Sequence, residues 1–364
     1  MACLRTPAVL IDRAKSLRNL DRMQAASDAR GIRLRPHSKT HKSPLVAQWQ
    51  IDRGAIGICC AKLGEAEVFA DAGIKDIRLP YPLNPSNADR VLTLLDRIQL
   101  SFIVDHPDVA RQWSDAMTRA GRQVDVLVKV DVGFHRCGID PDTRETLKII
   151  QGIAALPGLR LRGLLSHAGQ AYHAHSEDGL RTMAQAEAQT MRDLAERCRK
   201  AGVPIDEVSA GATPPARFSI GLAGYTEYRP GNYVYFDRTQ VALGAATMDD
   251  CALTVLATVV SKPAPNRVIL DSGSKTLSND TARGFTDAPG FGTVIGHDNL
   301  LIERLSEEHA TVKAVNGSTP LEPGDRVRII PNHSCVVSNL VDQAWLVDGD
   351  AVEPLPIAAR GRIT

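Results

Sequence analysis

RLRPHSKTHK, residues 33–42, packs four basic side chains and two histidines into ten positions. As an extended strand it sends Arg35, His37, Lys39 and His41 to one side and Leu34, Pro36, Ser38 and Thr40 to the other. A core strand does not normally gather its charges on one face. That face must therefore look into something polar, and what surrounds it decides the fold.

The flanking sequence supplies a ring of similar strands. AVLI (8–11), RLRPHS (33–38), GICCA (57–61), DIRLP (76–80), LSFIVD (100–105), VDVLVKVD (124–131), LRLRGLLSH (159–167) and DEVSAG (206–211) read as strands. Helical patterns lie between them. Leu17, Leu20 and Met23 recur at helical spacing before Gly31; another helix starts near Asn87, and a long one covers 177–201. Repeats of this kind point to a parallel sheet, and eight strands close a (β/α)8 TIM-type barrel. An open doubly wound sheet is the weaker reading, since no GxGxxG turn follows the first strand. After about residue 240 the texture changes to LTVLATVVS, NRVILDSGS, HATVKAV, DRVRIIPNHS and QAWLVDG, separated by turn residues. The expected fold class is α/β, with a barrel over 1–240 and a mostly-β domain over 241–364.

A formal net charge of +1 disfavours a general nucleic-acid or membrane-surface binder. No apolar run has the length of a membrane span, and MACLRTPAVLIDRAK is too poor in apolar residues for a secretory signal. The seven scattered cysteines suit free thiols, which together imply a cytoplasmic protein.

In such a barrel the chemistry sits at the C-terminal ends of the strands. Lys39 and His41 follow the second strand; Asp131, His135 and Arg136 follow VLVKV. His167 and Tyr172 follow RGLL, and Ser209, Gly211 and Thr213 follow DEV. Four successive strand ends of this character imply one pocket. The basic face around Lys39 reads either as a solvated edge or as a desolvated amine that attacks an aldehyde. SAGATPP reads as a tight turn or as backbone N–H groups cradling a phosphate. Arg136, flanked by Gly133 and Gly138, reads as a surface ion pair or a ligand neighbour. Together, lysine, phosphate loop and arginine describe a pyridoxal phosphate site. PNHSC adds His333 and Cys335, which on an extended segment reach the same side and suit zinc. An isolated HxC pair is more often not a metal site, and two ligands make only an open, catalytic one. Cys59–Cys60 reads as buried packing.

TPAVLID, RPHSKTHK, KVDVGFHRCG, SHAGQAY, EYRPGNYVYFD, DSGSK, the EEH of residues 307–309 and PNHSC resemble the D-threonine aldolase and D-serine dehydratase family of fold-type III, alanine racemase-like pyridoxal phosphate enzymes. The likeness spans nearly the whole chain. It implies a head-to-tail homodimer with sites at the interface, pyridoxal 5'-phosphate, a divalent metal (zinc, manganese or magnesium) and a small D-amino-acid substrate. By position, Lys39 resembles the lysine that bonds the cofactor and Arg136 the arginine facing the pyridine nitrogen. His167 would lie near the ring. Ser209, Gly211, Thr213 and Tyr235 fall where the family holds the phosphate, and His333 and Cys335 match the metal ligands.

The resemblance leaves the reaction open. Dehydratases carry His-x-Cys at the metal, as here; aldolases carry His-x-Asp. Asn339 and His173 resemble aldolase positions, and Tyr172 and His173 join Lys39 as candidate catalytic groups. The balance of these motifs leans to a D-threonine aldolase, with a D-serine or D-threo-3-hydroxyaspartate dehydratase as the alternative. A metal-independent racemase and a non-catalytic cofactor carrier are further readings; the carrier is disfavoured by the second domain.

Overall fold

The computed structural model describes residues 4–364. Cys3 lies outside them, and the other six cysteines form no disulfide. The chain opens with β1 (Ala8–Asp12) and a helix over Arg13–Asp28, whose first turn is capped where Asp12 accepts from the Lys15 amide at 2.9 Å. Gly31, at φ 63°, turns the chain toward the barrel.

Eight parallel strands then follow: β2 (Arg33–Leu34), β3 (Ile58–Cys59), β4 (Asp76–Pro82), β5 (Gln99–Val104), β6 (Val124–Lys129), β7 (Leu159–Leu165), β8 (Glu207–Ala210) and β9 (Glu227–Tyr228). Their order is β2-β9-β8-β7-β6-β5-β4-β3, and a parallel bridge between His37 and Cys59 joins the two ends into a ring. β5 and β6 are apolar and buried almost throughout, because the helices cover the outside and the ring closes the inside.

AVLI, expected as the first barrel strand, is not in the ring. It forms β1, which runs antiparallel to β10 (Leu253–Ala264) and parallel to Gln343–Asp348 in the second domain's sheet. A strand followed by a helix looks the same in either sheet, and only pairing with residues more than two hundred positions away separates them. The eighth barrel strand is β9, which at two residues is too short for any periodic pattern.

The bottom of the barrel interior is ionic. Arg78 donates to Glu227 at 2.5 Å, Glu207 at 2.7 Å and Ser101 at 2.9 Å. Arg35 donates to Glu227 at 2.7 Å and to both oxygens of Asp76. Above them, Arg229 donates to Ser209 at 2.5 Å and to the Ser166 carbonyl at 2.6 Å. These charges are buried but paired, which is the condition for tolerating them.

The second domain docks through a short helix, Ser334–Asn339. Ser338 donates to the Thr40 carbonyl, and Lys42 bridges Glu65 (3.0 Å) and Asn339 (2.7 Å). This contact brings PNHSC onto the turn that carries Lys39. Among the described residues, no helix is long and apolar enough to cross a membrane.

Candidate active site

RLRPHSKTHK is extended only as far as His37. Ser38–Thr40 is a turn of 3-10 helix, with the His37 ring accepting from the Lys39 amide at 3.3 Å. The expected common face is therefore split. Arg35 points into the ionic floor, His37 and Lys39 line a cavity at the C-terminal mouth of the barrel, and His41 is buried behind them against Ser43. Burial lowers the His41 pKa to about 4, so it stays neutral.

The cavity has a volume of about 310 Å³. Lys39, Arg136, His167, Tyr172, Gly211, Thr213, His333 and Cys335 all line it, drawn from several barrel loops and the second domain. Ser209, Tyr235 and His173 do not. Ser209 lies in the barrel interior bonded to Glu227 and Arg229; Tyr235 packs in the second domain's apolar core; His173 is exposed beside Tyr172. Asn339 faces Lys42 rather than the cavity. Sequence reasoning missed Arg229, Asn232, Arg283 and the positioning carboxylate Asp280. The first two stand in RPGN at the end of β9, where an arginine before a Pro-Gly turn was the available signal.

Lys39 is exposed at the mouth, and among the described residues its ammonium has no hydrogen-bond or ion-pair partner. The opposite wall fits a phosphate. The amides of Gly211, Ala212 and Thr213 meet no protein acceptor, and the buried Thr213 hydroxyl is unpartnered. A Cβ on Gly211 would come within 2.6 Å of the Arg229 backbone, so the cradle requires glycine there. His167 donates from Nδ1 to the Gly211 carbonyl at 2.7 Å. Burial, then the charges of Lys39, Lys129 and Arg136, hold its pKa well down, so it offers a neutral ring. Arg136 lies over the Phe134 ring, 5.5 Å from its centroid. Lysine, cradle and neutral ring together fit pyridoxal phosphate.

His333 caps the helix Ser334–Asn339 and Cys335 lies in its first turn, rather than on the extended segment expected. Their side chains still hydrogen-bond. Burial raises the Cys335 thiol, but the bond to His333 and the charges of His333 and Lys39 outweigh it and leave the pKa low. Burial lowers His333, yet the bond to Cys335 and the charges of Cys335 and Asp237 bring it up to about 10. Asp280 holds His333 Nδ1 at 2.6 Å, and the Thr40 hydroxyl lies 3.1 Å from Cys335 Sγ. A carboxylate on the far ring nitrogen and a readily ionised thiol are what a divalent ion requires of such a pair. Among the described residues no group of three or more His, Cys, Asp or Glu forms a closed site.

A closed parallel barrel with a lysine and an anion cradle at its mouth, roofed by a β domain, defines the alanine-racemase-like class of pyridoxal phosphate enzymes. Residues 11–239 match the model for the alanine racemase N-terminal domain, and 252–347 that for a putative serine dehydratase domain. A D-threonine aldolase of Arthrobacter sp is 34% identical over 99% of this chain and 94% of its own. The D-threo-3-hydroxyaspartate dehydratase of a Delftia species is 36% identical over 91% of each. Its solved structure has a TM-score of 0.91 over 97% of both chains at 32% identity, and a cysteine-to-alanine variant of a D-threo-3-hydroxyaspartate dehydratase, solved metal-free, reaches 0.92 with the same coverage and identity. The D-threonine aldolase of Filomicrobium marinum gives 0.91 over 100% of this chain and 98% of its own, at 29% identity. The chain belongs to the D-threonine aldolase and D-serine dehydratase family of fold-type III pyridoxal phosphate enzymes.

Proposed function

We propose that this protein is a metal-assisted lyase of small D-amino acids bearing a β-hydroxyl, and that the bond it breaks is Cβ–O, making it a dehydratase. The observation that carries the reading is that Lys39 and the His333–Cys335 pair share one cavity, while both aldolase-like residues, His173 and Asn339, stand outside its lining. Lys39 and the Gly211–Thr213 cradle would hold pyridoxal phosphate, which would supply an acceptor for the electron pair released at Cα, and His333 and Cys335 would hold a divalent ion, which would polarise the β-hydroxyl. The Lys39 amine is the base placed to take the Cα proton. Burial, then the negative charge of Cys335 and Asp237, pushes the Tyr172 phenol up, so it remains protonated and is placed to donate to the departing hydroxyl. Gly211, Ala212 and Thr213 would hold the phosphate end, and neutral His167 leaves the pocket's positive charge to Lys39, Arg136, Arg229 and Arg283.

Retro-aldol cleavage is the second reading. It is favoured by His173, an exposed imidazole one residue beyond Tyr172, and by the full-length likeness to D-threonine aldolase. The test incubates the loaded protein with D-serine, D-threonine and D-threo-3-hydroxyaspartate, with and without EDTA. A 2-oxo acid and ammonia, lost on chelation and in Lys39→Ala, is the expected result. Glycine plus an aldehyde selects the second reading. Stereoisomer interconversion unaffected by EDTA would overturn both.

A further inference from the structure

Asn232 opens the 3-10 turn Asn232–Val234, lines the cavity and is 4% exposed. The orientation of its amide is fixed from behind by Asp237, which is fully buried. One oxygen of Asp237 accepts from Asn232 Nδ2 at 2.6 Å and from the Ser334 amide at 2.9 Å, and the other accepts from the Gln240 amide at 3.0 Å. A carboxylate ringed by donors in this way acts only as an acceptor, so the nitrogen of the Asn232 amide must face it. The same Nδ2 lies 3.2 Å from Ser334 Oγ and donates to Cys335 Sγ at 3.5 Å. Oδ1 is what remains. It is buried and meets no donor among the described residues.

Such an acceptor is costly unless something held in the cavity donates to it. A carboxylate has no hydrogen to give, and Lys39 and the Gly211–Thr213 cradle are allotted to the cofactor. The feature that Asn232 touches is the metal pair, through the sulfur of Cys335. A neutral amide oxygen is a poor ligand for an ion already matched to a thiolate and an imidazole, whereas an oxygen bound to that ion carries a polarised hydrogen. Resting on the lyase reading above, we infer that Asn232 Oδ1 accepts a hydrogen bond from the O–H group seated at the His333–Cys335 pair: water in the resting site, the β-hydroxyl in the substrate complex. Asn232 thus supports the Cys335 sulfur through Nδ2 and, through Oδ1, selects a β-substituent with a hydrogen on its oxygen. An ether at Cβ reaches the pair but leaves Oδ1 unmet.

The experiment has a binding arm and a structural arm, and neither requires turnover. Calorimetry on the zinc-loaded holoenzyme compares two amine-free probes, 3-hydroxypropanoate and 3-methoxypropanoate, which differ by a methyl in place of the hydroxyl hydrogen. The hydroxylated probe should bind roughly 5- to 10-fold more tightly, and Asn232→Leu, whose side chain is close in shape, should bring that ratio near unity. No preference in the wild type overturns the inference, as does an unchanged preference in Asn232→Leu or an equal loss for both probes, which would make the residue structural only. Asn232→Leu also withdraws a donor from Asp237, so a crystal structure of the wild-type, zinc-loaded holoenzyme with 3-hydroxypropanoate decides the matter without a variant. Oδ1 should lie about 2.6–3.0 Å from an oxygen bound to the ion. Oδ1 bound to the ion itself, or with no oxygen in hydrogen-bond range, overturns the inference. If the contact is present but no β-hydroxy D-amino acid is turned over, the lyase reading falls and the assignment of Asn232 holds.

Discussion

Asp280 belongs to none of the motifs that mark this site, yet it governs how one metal-ligand candidate is presented. Its carboxylate takes one ring nitrogen of His333 at 2.6 Å and so fixes which nitrogen is left for an ion. Nothing in the sequence links positions 280 and 333, because the contact depends on how a long second-domain loop folds back. Removing such an orienting partner commonly costs 10- to 100-fold in metal affinity. Asp280→Ala should therefore weaken zinc binding by roughly that factor in competition with a chromogenic chelator. Asp280→Asn, whose carbonyl oxygen still accepts the ring N–H, should lose less. Equal affinity in all three proteins would show that His333 needs no support.

At the scale of elements, barrel strands long enough to show an apolar run were legible to within a few residues: LSFIVD and VDVLVKVD appear as β5 and β6, and LRLRGLLSH contains β7. The short ones were legible in place but not in extent: GICCA and DEVSAG contain β3 and β8, RLRPHS overruns the two residues of β2, and β9 went unread. RLRPHSKTHK shows why: its alternation holds for Arg35 and His37 and fails at Ser38, where a local helical turn begins. Alternation also cannot say that Arg35 and His37, though on one face, occupy different layers of a closed ring. Ser209 was misplaced for the same reason, since its strand position points into the barrel rather than the mouth. The partner that decides these placements, Glu227, is distant in sequence and buried with Arg35 and Arg78. Burial raises its pKa, but the charges of Arg78, Arg35 and Arg229 and the Ser209 hydroxyl outweigh that and hold it well below the usual carboxylate range. Glu227→Gln leaves the arginines without their shared counter-charge and should cost about 3–5 kcal/mol in urea unfolding. The sign of the pH dependence follows. A depressed folded-state pKa gives stability that is full above the ordinary glutamate value, about 4.3, and is lost as pH falls through the folded value. The gap between wild type and variant should thus be flat from neutral pH to about 5 and narrow below about 4. A gap independent of pH down to strong acid would show that the carboxylate charge is not what stabilises the floor.

The whole molecule is threaded so that the barrel, whose strands come from one continuous run of chain, is inserted within the second domain. β1 begins the polypeptide inside the second domain's sheet, between β10 and Gln343–Asp348, with Leu10 opposite Trp345. The chain then runs the full barrel before returning to complete that sheet. Met23, in the helix after β1, packs against both apolar cores, and Lys42 ties Glu65 of the barrel to Asn339 of the docking helix. A protein of this size need not unfold in one step, but here loss of either domain removes structure from the other. Releasing the barrel frees the segment that anchors β1, and withdrawing β1 opens the sheet on which Trp345 sits. Two tryptophans report the halves separately: Trp113 is fully buried in the barrel core 4.7 Å from Phe102, and Trp345 lies in the second sheet. In single-tryptophan variants with the other two replaced by phenylalanine, the urea transitions of Trp113 and Trp345 fluorescence should coincide in midpoint and slope. A Trp345 transition well before that of Trp113 would mean that β1 detaches with the second domain while the ring of strands survives. The cavity between them, which takes Lys39 from one side and His333 and Cys335 from the other, would then be lost before the barrel itself.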